Sequence, residues 1–103
     1  SLRIDTAQAP AFFSSDNDTV IIGNTQVAGT TTISTGRGAD FVRLRDFNDF
    51  GSQVIVDLGE HNDSLEFAFN DFQLGMVANG GLGLDTYQDL GSNTGLVQLE
   101  SFP

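Results

Sequence analysis

Thr35-Gly36-Arg37-Gly38-Ala39-Asp40-Phe41-Val42-Arg43-Leu44 is the stretch that decides the fold. It is a Gly-x-Gly-x-Asp turn running straight into a strand, and the same device occurs four times. Ser14-Ser15-Asp16-Asn17-Asp18-Thr19-Val20-Ile21-Ile22 is the first copy and Gly59-Glu60-His61-Asn62-Asp63-Ser64-Leu65-Glu66-Phe67 the third. Gly81-Leu82-Gly83-Leu84-Asp85-Thr86-Tyr87 is the fourth. The aspartates Asp18, Asp40, Asp63 and Asp85 stand 22, 23 and 22 residues apart. Self-similarity at a fixed period in the low twenties is the signature of a solenoid.

Each turn leads into a strand whose inward positions lie two and four residues after the aspartate. These are Val20 and Ile22, Val42 and Leu44, Leu65 and Phe67, then Tyr87 and Asp89. A polar connection follows, ending in an apolar residue near a glycine: Val27-Ala28-Gly29, Phe50-Gly51 and Leu74-Gly75. A second strand then leads to the next turn, with Ile33, Val56 and Ala78 each seven residues before an aspartate. Alternation at period two is the strand signal, and glycines and β-branched residues are set against helix. The expectation is an all-β, right-handed parallel β-solenoid of about four rungs of roughly 22 residues, each rung two strands and two turns. It forms a single domain over residues 1–103. Residues 1–13 read as a candidate N-terminal cap, 14–90 as the repeats and 91–103 as a C-terminal cap or last strand. Ile33, Val42, Val56 and Leu65 are expected inside. Arg43, Glu66 and Gln88 are expected outside, with Arg43 facing Glu66 across adjacent rungs. The regular rungs end near Tyr87, because Asp89 falls on an inward position where an unpaired charge is costly.

The 103 residues carry 14 acidic against 4 basic side chains, a formal charge of −10 and no lysine. That balance argues against nucleic acid, whose phosphates need cations, and against anionic membrane surfaces. No apolar run approaches a membrane span, so no membrane insertion is expected. There is no cysteine, so stability has to come from metal, stacking or oligomerisation rather than disulfides. The chain starts at Ser1 without methionine and reads as a processed or excised piece.

Stacked rungs bring equivalent residues to about 4.8 Å, the strand spacing. The four aspartates then form a column at one corner, with Asp16 in the first of the same turns. Like charges at that distance repel by roughly 1 kcal/mol in water and by about 3–4 kcal/mol at an effective dielectric of 20. A calcium ion between rungs would reverse the sign, since it takes carboxylate and carbonyl oxygens from flexible turns. Asp18, Asp40, Asp63, Asp85 and Asp16 are therefore candidate calcium ligands. The competing reading is that each aspartate bonds the amides of its own turn.

The Gly-x-Gly-x-Asp-x-apolar pattern resembles the repeats-in-toxin (RTX) nonapeptide, most fully at Gly36, Gly38, Asp40 and Val42 and at Gly81, Gly83, Asp85 and Tyr87. The resemblance covers most of 14–90 and implies calcium bound between turns and secretion. The period of about 22 with one motif per unit departs from that family. It is more similar to long bacterial surface proteins built from Gly-x-Gly-Asn-Asp-Thr-Val β-helical repeats. Asp16 and His61 replace the second glycine in two units, at a position that often needs positive φ.

His61, the only histidine, has no nucleophile context and reads as a turn residue. Paired acids such as Asp46 and Asp49 suit glycoside hydrolysis, but so short a chain has no loops to build a substrate groove, and no enzyme is expected. Thr30-Thr31-Thr32 gives no ice-binding array, because the next rung has Gln53-Val54-Ile55. The phenylalanines are expected in the core, Phe41 excepted. The functional expectation is a structural, self-associating extracellular or cell-surface module of a bacterial surface layer, matrix fibre or adhesin. Its partner is itself, end to end. The alternative is a calcium-dependent RTX-type module of a secreted protein.

Overall fold

The computed structural model describes residues 2–6 and 17–102. Twelve short strands and no helix make up these residues. They are β1 (Leu2–Asp5), β2 (Thr19–Gly23), β3 (Gln26–Val27), β4 (Thr31–Ser34), β5 (Phe41–Arg45) and β6 (Asn48–Phe50). β7 (Val54–Asp57), β8 (Ser64–Phe67), β9 (Asn70–Phe72), β10 (Met76–Asn79), β11 (Thr86–Asp89) and β12 (Val97–Glu100) complete the set. All pairing between strands is parallel and joins one rung to the next, with Val42 opposite Val20 and Leu65 opposite Val42. The chain is a parallel β-solenoid with the expected period.

Three sheets run along the coil, in the orders β1-β4-β7-β10-β12, β11-β8-β5-β2 and β3-β6-β9. Two strands per rung were expected, so the cross-section has one face more. The extra face is built from strands of two or three residues, with Asn48 opposite Asn70 and Phe50 opposite Phe72. It also corrects an equivalence. The apolar residue matching Phe50 is Phe72, which is buried, whereas Leu74 is exposed.

Inside, equivalent residues form columns: Val20, Val42 and Leu65; Ile22, Leu44 and Phe67; Ile33, Val56 and Ala78. All nine are buried. Phe50 and Phe72 stack face to face with centroids 5.7 Å apart. A residue lies over its own equivalent at one strand spacing, so each rung seals the apolar area of the one before. Among the described residues β11 is the outermost strand of its sheet at the C-terminal side, and every residue of it is exposed.

The turns stack as tightly as the strands. Gly36, Gly59 and Gly81 have φ of 79°, 83° and 77°. The Glu60 amide donates to the Gly36 carbonyl at 3.0 Å and the Leu82 amide to the Gly59 carbonyl at 2.9 Å. A Cβ on Gly59 would fall onto the Gly36 carbonyl and one on Gly81 onto the Gly59 carbonyl, so these two positions require glycine. One position on, Gly38, His61 and Gly83 all have positive φ, as the sequence required of His61.

Two side chains lie where the pattern did not put them. Glu66 is buried, not exposed, because Arg45 at 3.0 Å and Arg43 at 3.4 Å close over its carboxylate. Its pairing with Arg43 is as expected, and Gln88 is exposed. Phe41 is half-buried under the Arg43 guanidinium, 5.2 Å from its ring centroid, while among the described residues the exposed phenylalanines are Phe47 and Phe69.

Candidate functional site

The four aspartates do form a column, and among the described residues the amides that bond its carboxylates belong to the neighbouring turn rather than their own. The carboxylates of Asp40, Asp63 and Asp85 each accept a hydrogen bond from the amide of the aspartate one rung earlier. The Asp18 amide donates to Asp40 Oδ1, the Asp40 amide to Asp63 Oδ1 and the Asp63 amide to Asp85 Oδ1, all at 2.8 Å. The bond therefore runs between turns rather than within one. Asp40, Asp63 and Asp85 are buried, and Asp18, at the N-terminal end of the column, is partly exposed. Asp16 lies outside the described residues.

The second carboxylate oxygen, Oδ2, of all four is buried without a hydrogen-bond partner. A charge so placed is costly unless it is neutralised. Burial pushes the Asp40 carboxyl above its usual range, against the pull of the Asp18 amide. Burial raises Asp63 further, to about 7, with the negative charges of Asp40 and Asp85 adding to it. A protonated Asp63 has a donor to offer Asp85, whereas an ionised one has none.

A calcium cage needs six to eight oxygens around one point. Here one oxygen of each of Asp40, Asp63 and Asp85 is taken by an amide, and among the described residues no three His, Cys, Asp or Glu side chains converge to hold a metal. As they stand, the aspartates tie rung to rung. His61 does similar work at the outer rim of the turn, where its Nδ1 accepts from the Gly38 amide at 3.1 Å.

A second polar column was not anticipated. At the corner before the third face, Thr25, Asn48, Asn70 and Asn93 succeed one another. Asn48 Nδ2 donates to the Ile22 carbonyl at 3.0 Å and to Asn70 Oδ1 at 2.9 Å. Asn70 Nδ2 donates to the Leu44 carbonyl and to Asn93 Oδ1, both at 2.8 Å. The Thr25 amide donates to Asn48 Oδ1 at 3.0 Å. A buried amide supplies both donors and acceptor, so this column is satisfied where the aspartate column is not. The signal for it was the tetrapeptide Phe-Asn-Asp-Phe, present at Phe47-Asn48-Asp49-Phe50 and again at Phe69-Asn70-Asp71-Phe72.

That tetrapeptide also builds an outward feature. Phe47 and Phe69 lie side by side on the surface, with centroids 5.2 Å apart and planes at 41°. They border a groove of about 530 Å³ whose other walls include Asp49, Asp71, Ser92 and Thr94.

No known protein family, curated protein sequence or solved structure gives a match to this chain. The fold therefore rests on its own rung geometry, and function has to be argued from surfaces.

Proposed function

We propose that this chain is a structural stacking module, extracellular or at a cell surface, of the kind that builds a bacterial surface layer, matrix fibre or adhesin, and that its partner is another copy of itself, end to end. The observation that carries the reading is the match between the two open edges of the largest sheet. β1 and β12 are its outermost strands. Through the chain of registers, Leu2 and Ile4 occupy the positions held by Val97 and Leu99 at the other edge. All four are half-buried apolar residues at the rim of the core. If a second copy continues the coil, Val97 meets Leu2 and Leu99 meets Ile4, while outward Glu100 comes diagonal to Arg3. Unpaired edges invite such addition unless charge, proline or a covering element blocks them.

Two features weigh against the joint and set its strength. The sheet holding β11 has one strand fewer than the sheet holding β12, so with β12 on the next copy's β1 a gap of about two strand spacings separates β11 from that copy's β2. Asp89, accepting from the Gly91 amide and from Asn93 Nδ2, both at 2.9 Å, lies at this gap. Phe102 folds over the same end, its ring 5.6 Å from that of Tyr87. Net charge opposes association at low ionic strength and is screened above about 0.1 M salt. Sedimentation velocity from low to high salt tests the proposal. A mass distribution extending past the dimer as salt rises is expected, because a heterologous contact does not close. A strict monomer at high salt would sink it.

A calcium-dependent RTX-type role is the second reading. It draws on the unpartnered Oδ2 atoms of Asp18, Asp40, Asp63 and Asp85, and it requires the turns to rearrange so that those oxygens meet an ion. Melting in calcium against melting in chelator separates the two. An ion bound at a hundredfold excess over its dissociation constant adds about 2.7 kcal/mol, whereas the stacking reading leaves the monomer's melting unchanged.

A further inference from the structure

Phe47 and Phe69 have φ of 67° and 56°, a left-handed backbone that bulky side chains rarely adopt. The fold demands this conformation at the corner, since Asn24 and Ser92 hold it in the flanking rungs with φ of 49° and 58°. It does not demand an aromatic there. Asn and Ser are small polar residues suited to the site, and Phe47 gains little burial in exchange. Phe47 is 73% exposed and Phe69 38%. The two rings pack on each other at the surface and neither joins the core, and strain of this kind gathers at ligand-binding places.

The charge around them points to the ligand. Asp49 and Asp71 are register partners on adjacent strands of the third face, one strand spacing apart. One oxygen of each is occupied, Asp49 Oδ1 by Gln73 Nε2 at 2.6 Å and Asp71 Oδ1 by the Thr94 hydroxyl at 2.8 Å. Neither has a basic neighbour. The chain's four basic side chains are arginines, and Arg3, Arg37, Arg43 and Arg45 lie on Asp5, Glu60 and Glu66. The groove thus joins two tilted aromatic faces to two carboxylates without a counter-ion. We propose that it binds a quaternary ammonium group, whose methyls rest on the Phe47 and Phe69 rings while Asp49 and Asp71 supply the opposing charge. Aromatic faces attract such cations, and a weakly hydrated one gives up little on entering an apolar groove. A primary ammonium has three donors to satisfy. The corner's amides cannot help, since Asn48 and Asn70 are turned inward onto carbonyls.

The test is a two-dimensional NMR titration of the intact chain with choline. Its neutral isostere, 3,3-dimethylbutan-1-ol, and sodium chloride at equal ionic strength serve as controls. Choline is expected to shift the Phe47 and Phe69 ring signals and the Asp49 and Asp71 amides with saturation below about 50 mM, and the controls to leave them in place. Phe47→Ser and Phe69→Ser install the residue that the next rung already carries. Each should weaken choline binding about fivefold to tenfold, and Phe47→Ser, at the more exposed ring, should do so without lowering the melting temperature, which separates lost binding from lost folding. Equal shifts with the isostere, unchanged choline binding in both serine variants, or no saturation would each overturn the assignment.

Discussion

Asp63 is the residue whose chemistry the coil most alters. Its carboxyl is buried between two others and raised to about 7, from an ordinary value of 3.8. A raised value means that the folded chain holds the proton more tightly than the unfolded one. The resulting stability is full below about pH 3.8 and is lost as pH rises through 7. The melting temperature should therefore be higher at pH 5 than at pH 8, by at least about 4 °C, the shift that roughly 1 kcal/mol produces in a domain of this size. Asp63→Asn keeps an acceptor for the Asp40 amide and removes the charge, so it should flatten that profile and melt higher at pH 8. Parallel profiles for the two proteins would locate the pH dependence elsewhere. The sequence showed that these aspartates stack. It hid that they face inward, because the amide that bonds each one belongs to a residue 22 or 23 positions away and no local pattern records it.

At the scale of the element, two of the three faces were legible because their strands are four or five residues long, enough for in-out alternation to declare itself. The third was not, since Gln26–Val27, Asn48–Phe50 and Asn70–Phe72 are too short for alternation to declare itself, and two of the three place an asparagine inward. Asparagine in a connection reads as a loop until its partner one rung away is known. Two substitutions test these columns by equilibrium denaturation. Gly59→Ala puts a Cβ onto the Gly36 carbonyl at positive φ and should cost at least about 2 kcal/mol. Asn70→Ala leaves the Leu44 carbonyl and Asn48 Nδ2 each short of a partner and should cost about 2–4 kcal/mol. Near-wild-type stability in Gly59→Ala would mean that the turns do not stack at this spacing. A neutral Asn70→Ala would mean that water replaces the column. Val56→Asp buries a carboxylate with no amide to meet it and should abolish folding, leaving an unfolded circular dichroism spectrum.

For the whole molecule, the proposed function turns on the end surfaces. Solenoids that work alone carry polar caps. Here the C-terminal end combines a partial cap, Asp89 with Asn93, and an uncapped strand, β12, whose rim is Val97 and Leu99. If the stacking is right, a charge placed on the apolar rim of β12 breaks it. Leu99→Lys should abolish association while leaving the monomer folded.

The central claim, that copies continue one another's coil, is tested most directly by disulfide trapping. In the stacked register, Gln98 of one copy lies opposite Arg3 of the next, at the spacing of adjacent strands and within reach of a disulfide. The chain has no cysteine to confuse the result. Oxidising the double variant Arg3→Cys, Gln98→Cys at high salt should give a ladder of covalent dimers, trimers and longer multimers on a denaturing gel. The control Arg3→Cys, Ile55→Cys, whose second cysteine sits in mid-sheet, should stay monomeric. A Gln98 variant that remains monomeric, or a control that ladders equally well, would contradict end-to-end stacking.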